Sequence, residues 1–367
     1  MTRIICLQPA LPVYRIDFFD RCFRLLDGRL IVYYSSADLH GLETGCDAKP
    51  RWATMLGPLR NILPGVYWQD GALAVPIRRG DVVVVAGAPR CLSNLAVLIL
   101  ARLKGARTIW WGHYWSSTSK PWRHVLRLAL MRLSHSVVFY TDREVEECRR
   151  RMGHFAPVRL HGLNNGINAD PVINFRCTYD ATLRGRRLLF VGRMTKKSQT
   201  EYLLEALADD RLADVRLEIV GGGPEEAALR ERARNLGVGD RVVWHGSVTD
   251  EAAIANVANR CALFVYPGSV GLSLIHGMTY GLPAVVHGNR WHHMPEIDAL
   301  TPNETGFTFE EGNAASLTET IADALSDPTR LNKMSQRSLE TVKESFNTKN
   351  MSQRFFAAIK DLIDVSV

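Results

Sequence analysis

The sequence predicts an α/β protein built as two domains, each an open parallel sheet with helices on both faces. Three observations lead there. Short apolar runs such as Asp81–Ala86, Arg107–Trp111, Arg187–Val191 and Ala262–Tyr266 alternate with stretches of helical spacing along the whole chain. The length of 367 residues is that of two ordinary domains. Glycine-bearing turns follow the strands at Gly192, Gly221–Gly223, Gly246 and Gly268–Gly271, where open sheets of this class bind ligands.

Composition narrows the class. A hydrophobic share of 46% allows two sizeable cores. No run of 18 apolar residues occurs, so no membrane span is expected, and the N-terminus lacks a signal-peptide pattern. Seven scattered cysteines, none in a C-x-x-C pair, predict reduced thiols in a cytoplasm and no zinc site. The net charge of +7 is uneven: residues 1–168 carry +11 and residues 169–367 carry −4. A basic half suits a phosphate-bearing substrate or an anionic membrane surface, and nothing resembles a nucleic-acid module.

In the first half, Arg3–Leu7 reads as a strand, followed by a loop held extended by Pro9 and Pro12. Arg15 at its end fits either a contact to an anionic ligand group or a surface arginine. Residues 16–26 have helical spacing, and Leu30–Tyr34 is a second strand. A hairpin is expected between residues 52–56 and 66–75, with Pro64-Gly65 and Asp70-Gly71 as turns. His113 follows directly on the strand Arg107–Trp111, which places it at a carboxyl end. Residues 119–134 form a basic helix with Trp122, Val125, Leu126, Ala129 and Leu133 on one face. That face fits a membrane surface or a domain core. A strand at Ser136–Tyr140, a charged helix at Asp142–Met152 and a short strand at 158–160 complete this half.

Residues 169–185 read as a polar linker. Arg187–Val191 then runs into Gly192-Arg193-Met194, with Lys196 and Lys197 close behind. Val215–Val220 leads into Gly221-Gly222-Gly223-Pro224, and Arg241–Trp244 into His245-Gly246-Ser247-Val248. The stretch Tyr266–Glu296 is a strand, a glycine turn, a helix from Gly271 to Tyr280 and a second strand at Ala284–His287. Such a turn offers backbone N–H groups and a positive helix end to a phosphate. His287, His292 and His293, with one near carboxylate and no cysteine, make a poor metal set, and His292 and His293 are expected to line the ligand cleft instead. Helices are expected at 314–326, 327–345 and 350–363.

Five of these motifs, in this order, resemble the signature of retaining nucleotide-sugar glycosyltransferases of family 4. Gly192-Arg193 resembles the family's V-G-R-L, Gly221–Pro224 its G-x-G-P, and His245–Val248 its F-x-G-x-V. Val270-Gly271-Leu272 resembles F-G-L, and Gly281–Val286 with Pro295-Glu296 resembles G-x-P-V-V and the closing P-E. The resemblance implies the GT-B fold, two Rossmann-like domains facing each other across a cleft. The expected domains are 1–168 on the acceptor side, a linker at 169–185, 186–345 on the nucleotide-sugar side, and a C-terminal helix at 346–367 packing back on the first domain. It implies donor contacts from Gly192, Arg193, Lys197, Gly222, His245, Gly246, Gly268, Val270, Gly271, Leu272, His276 and Glu296. Arg193, Lys197 and His113 take the catalytic roles, and Arg15 and His113 the acceptor side.

Three positions depart from the pattern. The family's two signature glutamates fall on Gly268 and His276, and its lysine falls on Ser198. A neutral imidazole at His276 can accept the ribose hydrogen bond that a glutamate would. The implied activity is sugar transfer with retention from a UDP- or GDP-linked donor to a glycan or lipid-linked acceptor. It needs no metal or cofactor and belongs to bacterial exopolysaccharide or lipopolysaccharide assembly. The expected location is the cytoplasm, peripheral on the inner membrane face. The competing readings are a non-catalytic nucleotide-sugar-binding paralogue and a GT-B epimerase or phosphorylase.

Overall fold

The computed structural model describes residues 2–35, 50–115, 121–157 and 159–364. The expected helix start at Ser119–Lys120, the Trp122 side chain and Val158 lie outside what it describes. The chain divides into two compact units, residues 1–168 with 348–367, and residues 169–347.

The first unit holds strands β1 (Ile4–Gln8), β2 (Leu30–Ser35), β3 (Ala53–Leu56), β4 (Leu59–Leu63), β5 (Val66–Gln69), β6 (Val82–Ala86), β7 (Arg107–Trp111), β8 (Ser136–Phe139) and β9 (Leu160–Gly162). Seven of them form one sheet in the order β3-β2-β1-β6-β7-β8-β9, and every pairing in it is parallel. The order reverses at β1, which lies between β2 and β6. The expected hairpin is different in register. Residues 53–56 join the main sheet beside β2, and the antiparallel pair is β4 with β5 around Pro64-Gly65. Gly57-Pro58 separates the two roles, because proline cannot continue the ladder.

Successive residues of a strand face opposite sides, so Trp110 and Trp111 enter different cores. Trp111 packs with Phe18, Phe19 and Phe355, and Trp110 with Tyr114, Met131 and Phe139. The first of these cores also takes the C-terminal helix Thr348–Asp364, which contributes Met351, Phe355, Ala358, Ile359 and Leu362. In the helix Pro121–Met131, Met131 is buried, and Leu128 and Leu130 pack against the core. The stripe drawn from the sequence points outward instead: Val125 is 66% exposed, Leu126 45% and Leu133 39%.

The second unit holds β10 (Arg187–Val191), β11 (Arg216–Val220), β12 (Val242–Gly246), β13 (Leu263–Tyr266), β14 (Ala284–His287) and β15 (Gly306–Phe309). They form one parallel sheet in the order β12-β11-β10-β13-β14-β15, which reverses at β10. Residues 169–185, read as a linker, carry two short helices, Asp170–Phe175 and Ala181–Arg184, and are packed on this unit. Tyr179 donates its hydroxyl to the Ala262 carbonyl at 2.7 Å. Buried Arg184 donates to the carbonyls of Ala258 and Cys261 at 3.1 and 3.2 Å. A polar, aperiodic stretch hid this docking, because it is made through single side chains and not through an apolar face.

Candidate active site

In the second unit the loops after β10, β11 and β12 are stitched together by their backbones. Gly192 donates to the Val220 carbonyl at 3.0 Å, Met194 to Gly222 at 2.9 Å, and Gly221 to Gly246 at 2.8 Å. Glycine at 221 has φ +137°, and a Cβ there would overlap the Gly192 carbonyl oxygen, so the loops could not close on a larger residue. Gly192 in turn lies against Ser273 in the first turn of the helix Leu272–Thr279. These contacts bring Gly192, Gly222, Gly246 and the helix start, Gly271 and Leu272, to one rim. Arg193 is exposed on that rim while Met194 beside it is buried and anchors the turn.

The helix Leu272–Thr279 has no capping side chain at Gly271. Among the described residues no partner takes the N–H groups of Gly271 and Leu272. Its approach is fixed from both sides. Gly268 and Ser269 donate to the carbonyls of Ser198 and Lys197 at 3.0 and 2.9 Å. Val270 donates to Nδ1 of His293 at 3.2 Å and accepts from the Met294 N–H at 2.9 Å. The Nε2 of His293 donates to the His287 carbonyl at 2.9 Å, which sets the tautomer that leaves Nδ1 as acceptor. His293 is therefore buried and turned inward, stacked on His287 at 3.7 Å, and does not line an open face. Burial, with His287 beside it, drives its pKa down to about 3. His292 is exposed and bonded to Glu311 at 2.6 Å.

The departures from the family pattern have physical causes. A Cβ on Gly268 would overlap the Lys197 carbonyl oxygen, so no side chain of any kind fits there with the 195–200 loop in place. Ser198 is buried. Its hydroxyl closes its own turn, donating to the Thr195 carbonyl at 2.6 Å, while Lys196 and Lys197 are exposed on the same turn. His276 does not stand alone. Its Nε2 is 2.9 Å from Oε1 of Glu251, and Tyr280 donates its hydroxyl to the same carboxylate. Burial raises the Glu251 pKa, but the bonds from His276 and Tyr280 outweigh it and hold the carboxyl below its ordinary value. Glu251 is 25 residues from His276, so no local spacing signalled it. The His245 imidazole is engaged by buried Glu218 at 2.8 Å, which also pairs with Arg187 at 2.9 Å, leaving the backbone of that loop to face outward contacts. The Glu296 carboxyl is buried beside the helix start, with Oε2 3.6 Å from the position a Cβ on Gly271 would take.

In the first unit, Arg15, His113, Tyr140 and Asn165 meet at the carboxyl ends of β1, β7, β8 and β9. The His113 ring lies on Tyr140 at 4.4 Å, and the Arg15 guanidinium stands 5.9 Å from the same ring. Among the described residues no group of three or more His, Cys, Asp or Glu side chains is placed to hold a metal ion.

Comparison with known proteins points to one family for the second unit. Residues 181–341 match the model for glycosyl transferases group 1. The matched stretch lies wholly within the second unit, which is similar to the group 1 glycosyltransferases. In that unit the loops after β10, β11, β12 and β13 sit on strand ends. The chain is 24% identical to the N-acetyl-alpha-D-glucosaminyl L-malate synthase of Bacillus anthracis over 48% of this chain and 45% of that protein. It is 27% identical to a GDP-mannose-dependent phosphatidylinositol monomannoside mannosyltransferase of Mycolicibacterium smegmatis over 63% and 64%. The alignments thus span about half to two thirds of these proteins. The fold is that of Anabaena HepE in complex with UDP, at a TM-score of 0.72 and 15% identity over 99% of this chain and 100% of that one. Its two parallel Rossmann-like sheets make it a GT-B fold.

Proposed function

We propose that this chain transfers a sugar, with retention at the anomeric carbon, from a nucleoside-diphosphate donor to a glycan or lipid-linked acceptor. The observation that carries the reading is the uncapped helix start at Gly271-Leu272, gathered with Arg193 on one rim of a domain similar to the group 1 glycosyltransferases. As the bond to the sugar breaks, negative charge grows on the leaving diphosphate. Helix-end N–H groups, Arg193 and Lys197 stabilise it, the guanidinium through a two-pronged hydrogen bond. The work is done by fixed dipoles and cations, so turnover is expected to persist in excess chelator. The similar proteins named above bind UDP or use GDP-mannose, and both bases fit a recognition made through backbone at 245–247. Neutral His113 at the acceptor side is placed to hydrogen-bond a hydroxyl near the reacting carbon. Exopolysaccharide or lipopolysaccharide assembly at the cytoplasmic membrane face is the process this activity serves.

Calorimetry with UDP and GDP tests the reading. Arg193→Ala is expected to weaken binding of the preferred nucleotide by about 1.5–3 kcal/mol, the worth of a charge-assisted contact. Equal affinity in the variant, or no binding of either nucleotide by the wild type, would falsify it.

A further inference from the structure

Among the described residues, the half-buried cation Arg15 meets no carboxylate. Among these residues only its Nη1 is bonded, to Oδ1 of Asn165 at 2.7 Å and to the sulfur of Met351 at 3.4 Å. Four aromatic rings, those of Tyr14, Phe18, Trp111 and Tyr140, surround the guanidinium at 5.3–6.0 Å from their centroids. Such rings stabilise the charge and fix its orientation, but they do not neutralise it. The acidic groups of this end of the unit are engaged elsewhere. Asp17 holds Arg21 at 2.7 Å, and Asp142 holds Arg354 at 2.7 Å. Glu144 takes the N–H groups of Tyr114 and Tyr140, each at 2.9 Å. This last pair of bonds ties the loop after β7 to the end of β8 and so sets His113 on the Tyr140 ring.

The field at His113 reports the same surplus of positive charge. Its imidazole is pushed down to about 4, first by burial and then by Arg127 and Arg15. Arg127 lies on the helix Pro121–Met131 and is itself half-buried, with Glu144 acting on it favourably and Arg90 unfavourably. A neutral imidazole and a fixed guanidinium therefore meet on the Tyr140 ring at the carboxyl edge of a parallel sheet next to the point where strand order reverses. Open α/β sheets bind ligands at this edge. A guanidinium fork with its Nε and Nη2 unused among the described residues is shaped for the two oxygens of a phosphate or carboxylate.

We propose that Arg15, with His113 beside it on the Tyr140 ring, forms an oxyanion subsite in the first unit, which holds a phosphate or carboxylate group of the acceptor. The proposal rests on the reading of this unit as the acceptor side and names the chemical class of the acceptor. The bound oxyanion fills the unneutralised field at Arg15. It also leaves the neutral His113 free to hydrogen-bond a neighbouring hydroxyl of the same molecule.

The test follows His113 by NMR in the full-length protein, with its signals assigned by their loss in His113→Gln. Inorganic phosphate and acetate serve as separate probes. In the wild type, a bound anion is expected to raise the His113 midpoint from about 4 by about one unit or more. In Arg15→Gln the midpoint starts higher, because a cation is gone, and neither probe moves it further. A phosphate response alone identifies a phosphorylated acceptor, and an acetate response a carboxylated one. The proposal is overturned if neither probe moves the wild-type midpoint, or if Arg15→Gln responds as the wild type does. UDP affinity measured on the same samples separates the two readings: loss of UDP binding counts against the donor assignment and leaves the His113 titration as it stands.

Discussion

At Gly268 a single missing side chain is dictated by a neighbouring backbone. The Lys197 carbonyl occupies the place a Cβ would take, and the Gly268 N–H bonds to Ser198 in the same contact. Gly268→Ala must displace the 195–200 loop, and such overpacking costs about 1–3 kcal/mol. Urea denaturation should show that loss, together with weaker UDP binding, because the displaced loop carries Lys197. An unchanged midpoint and unchanged affinity would mean that the two loops are not in contact. His293 acts by being neutral. Its folded pKa of about 3 lies below the 6.5 of a free imidazole, so between these values the unfolded chain binds more protons than the native one. Stability from this group is full above about 6.5 and falls as the pH drops toward 3, by up to roughly 1.4 kcal/mol per pH unit. Burial depresses His287 in the same direction. Denaturation midpoints measured from pH 7 to 4.5 should therefore fall less steeply in His293→Gln than in the wild type. Parallel slopes would show that the imidazole is not held neutral. Neither residue was legible as such in the sequence. Gly268 stood out only as a departure from a pattern, and His293 suggested a lining that its burial excludes.

At the scale of elements, the helix Pro121–Met131 is the clearest revision. Its periodicity marked a stripe through Val125, Leu126, Ala129 and Leu133, and the stripe exists, but it faces away from the core. Periodicity locates an apolar face without saying what covers it. Here the core is reached through Met131, Leu128 and Leu130 instead. An exposed apolar stripe flanked by arginines fits the interface of an anionic membrane, where apolar contact and charge attraction add. Arg127 belongs to the His113 neighbourhood, so the variant that isolates membrane contact is Val125→Asp with Leu126→Asp. That pair is expected to abolish flotation with vesicles containing anionic lipid while UDP affinity stays at the wild-type value. Co-flotation of the double variant, or no flotation of the wild type at low salt, would remove the membrane reading. The strand-ending turns were the most readable elements. In a parallel sheet each strand is a short apolar run, and each carboxyl end needs a turn with its own glycine or proline.

For the whole molecule, the last helix ties the end of the chain to its beginning. Met351, Phe355, Ile359 and Leu362 complete the core around Phe18 and Trp111, and Arg354 bonds to Asp142. Fully burying each such side chain contributes about 1.5–3 kcal/mol, so their sum rivals the 5–15 kcal/mol stability of a typical domain. A chain ending at residue 347 is expected to lose the first unit's tryptophan near-UV signal and its cooperative unfolding, while the second unit still unfolds as one transition. Two retained transitions would show that the first unit folds without this helix. By itself the sequence determined two parallel α/β sheets and the order of most of their elements, because strand runs, helical spacing and turn glycines are local and repeat along the chain. Tertiary structure alone decided which side chains meet. It paired His276 with Glu251, turned His293 onto the Val270 N–H, packed residues 169–185 on the second unit and set Arg15 among four rings. Most of these contacts join residues distant in sequence through single hydrogen bonds or ring faces, as Trp111 and Tyr140 do with Arg15. Contacts of that kind leave no periodic trace, since their energy comes from geometry reached only when the sheets and loops are already formed.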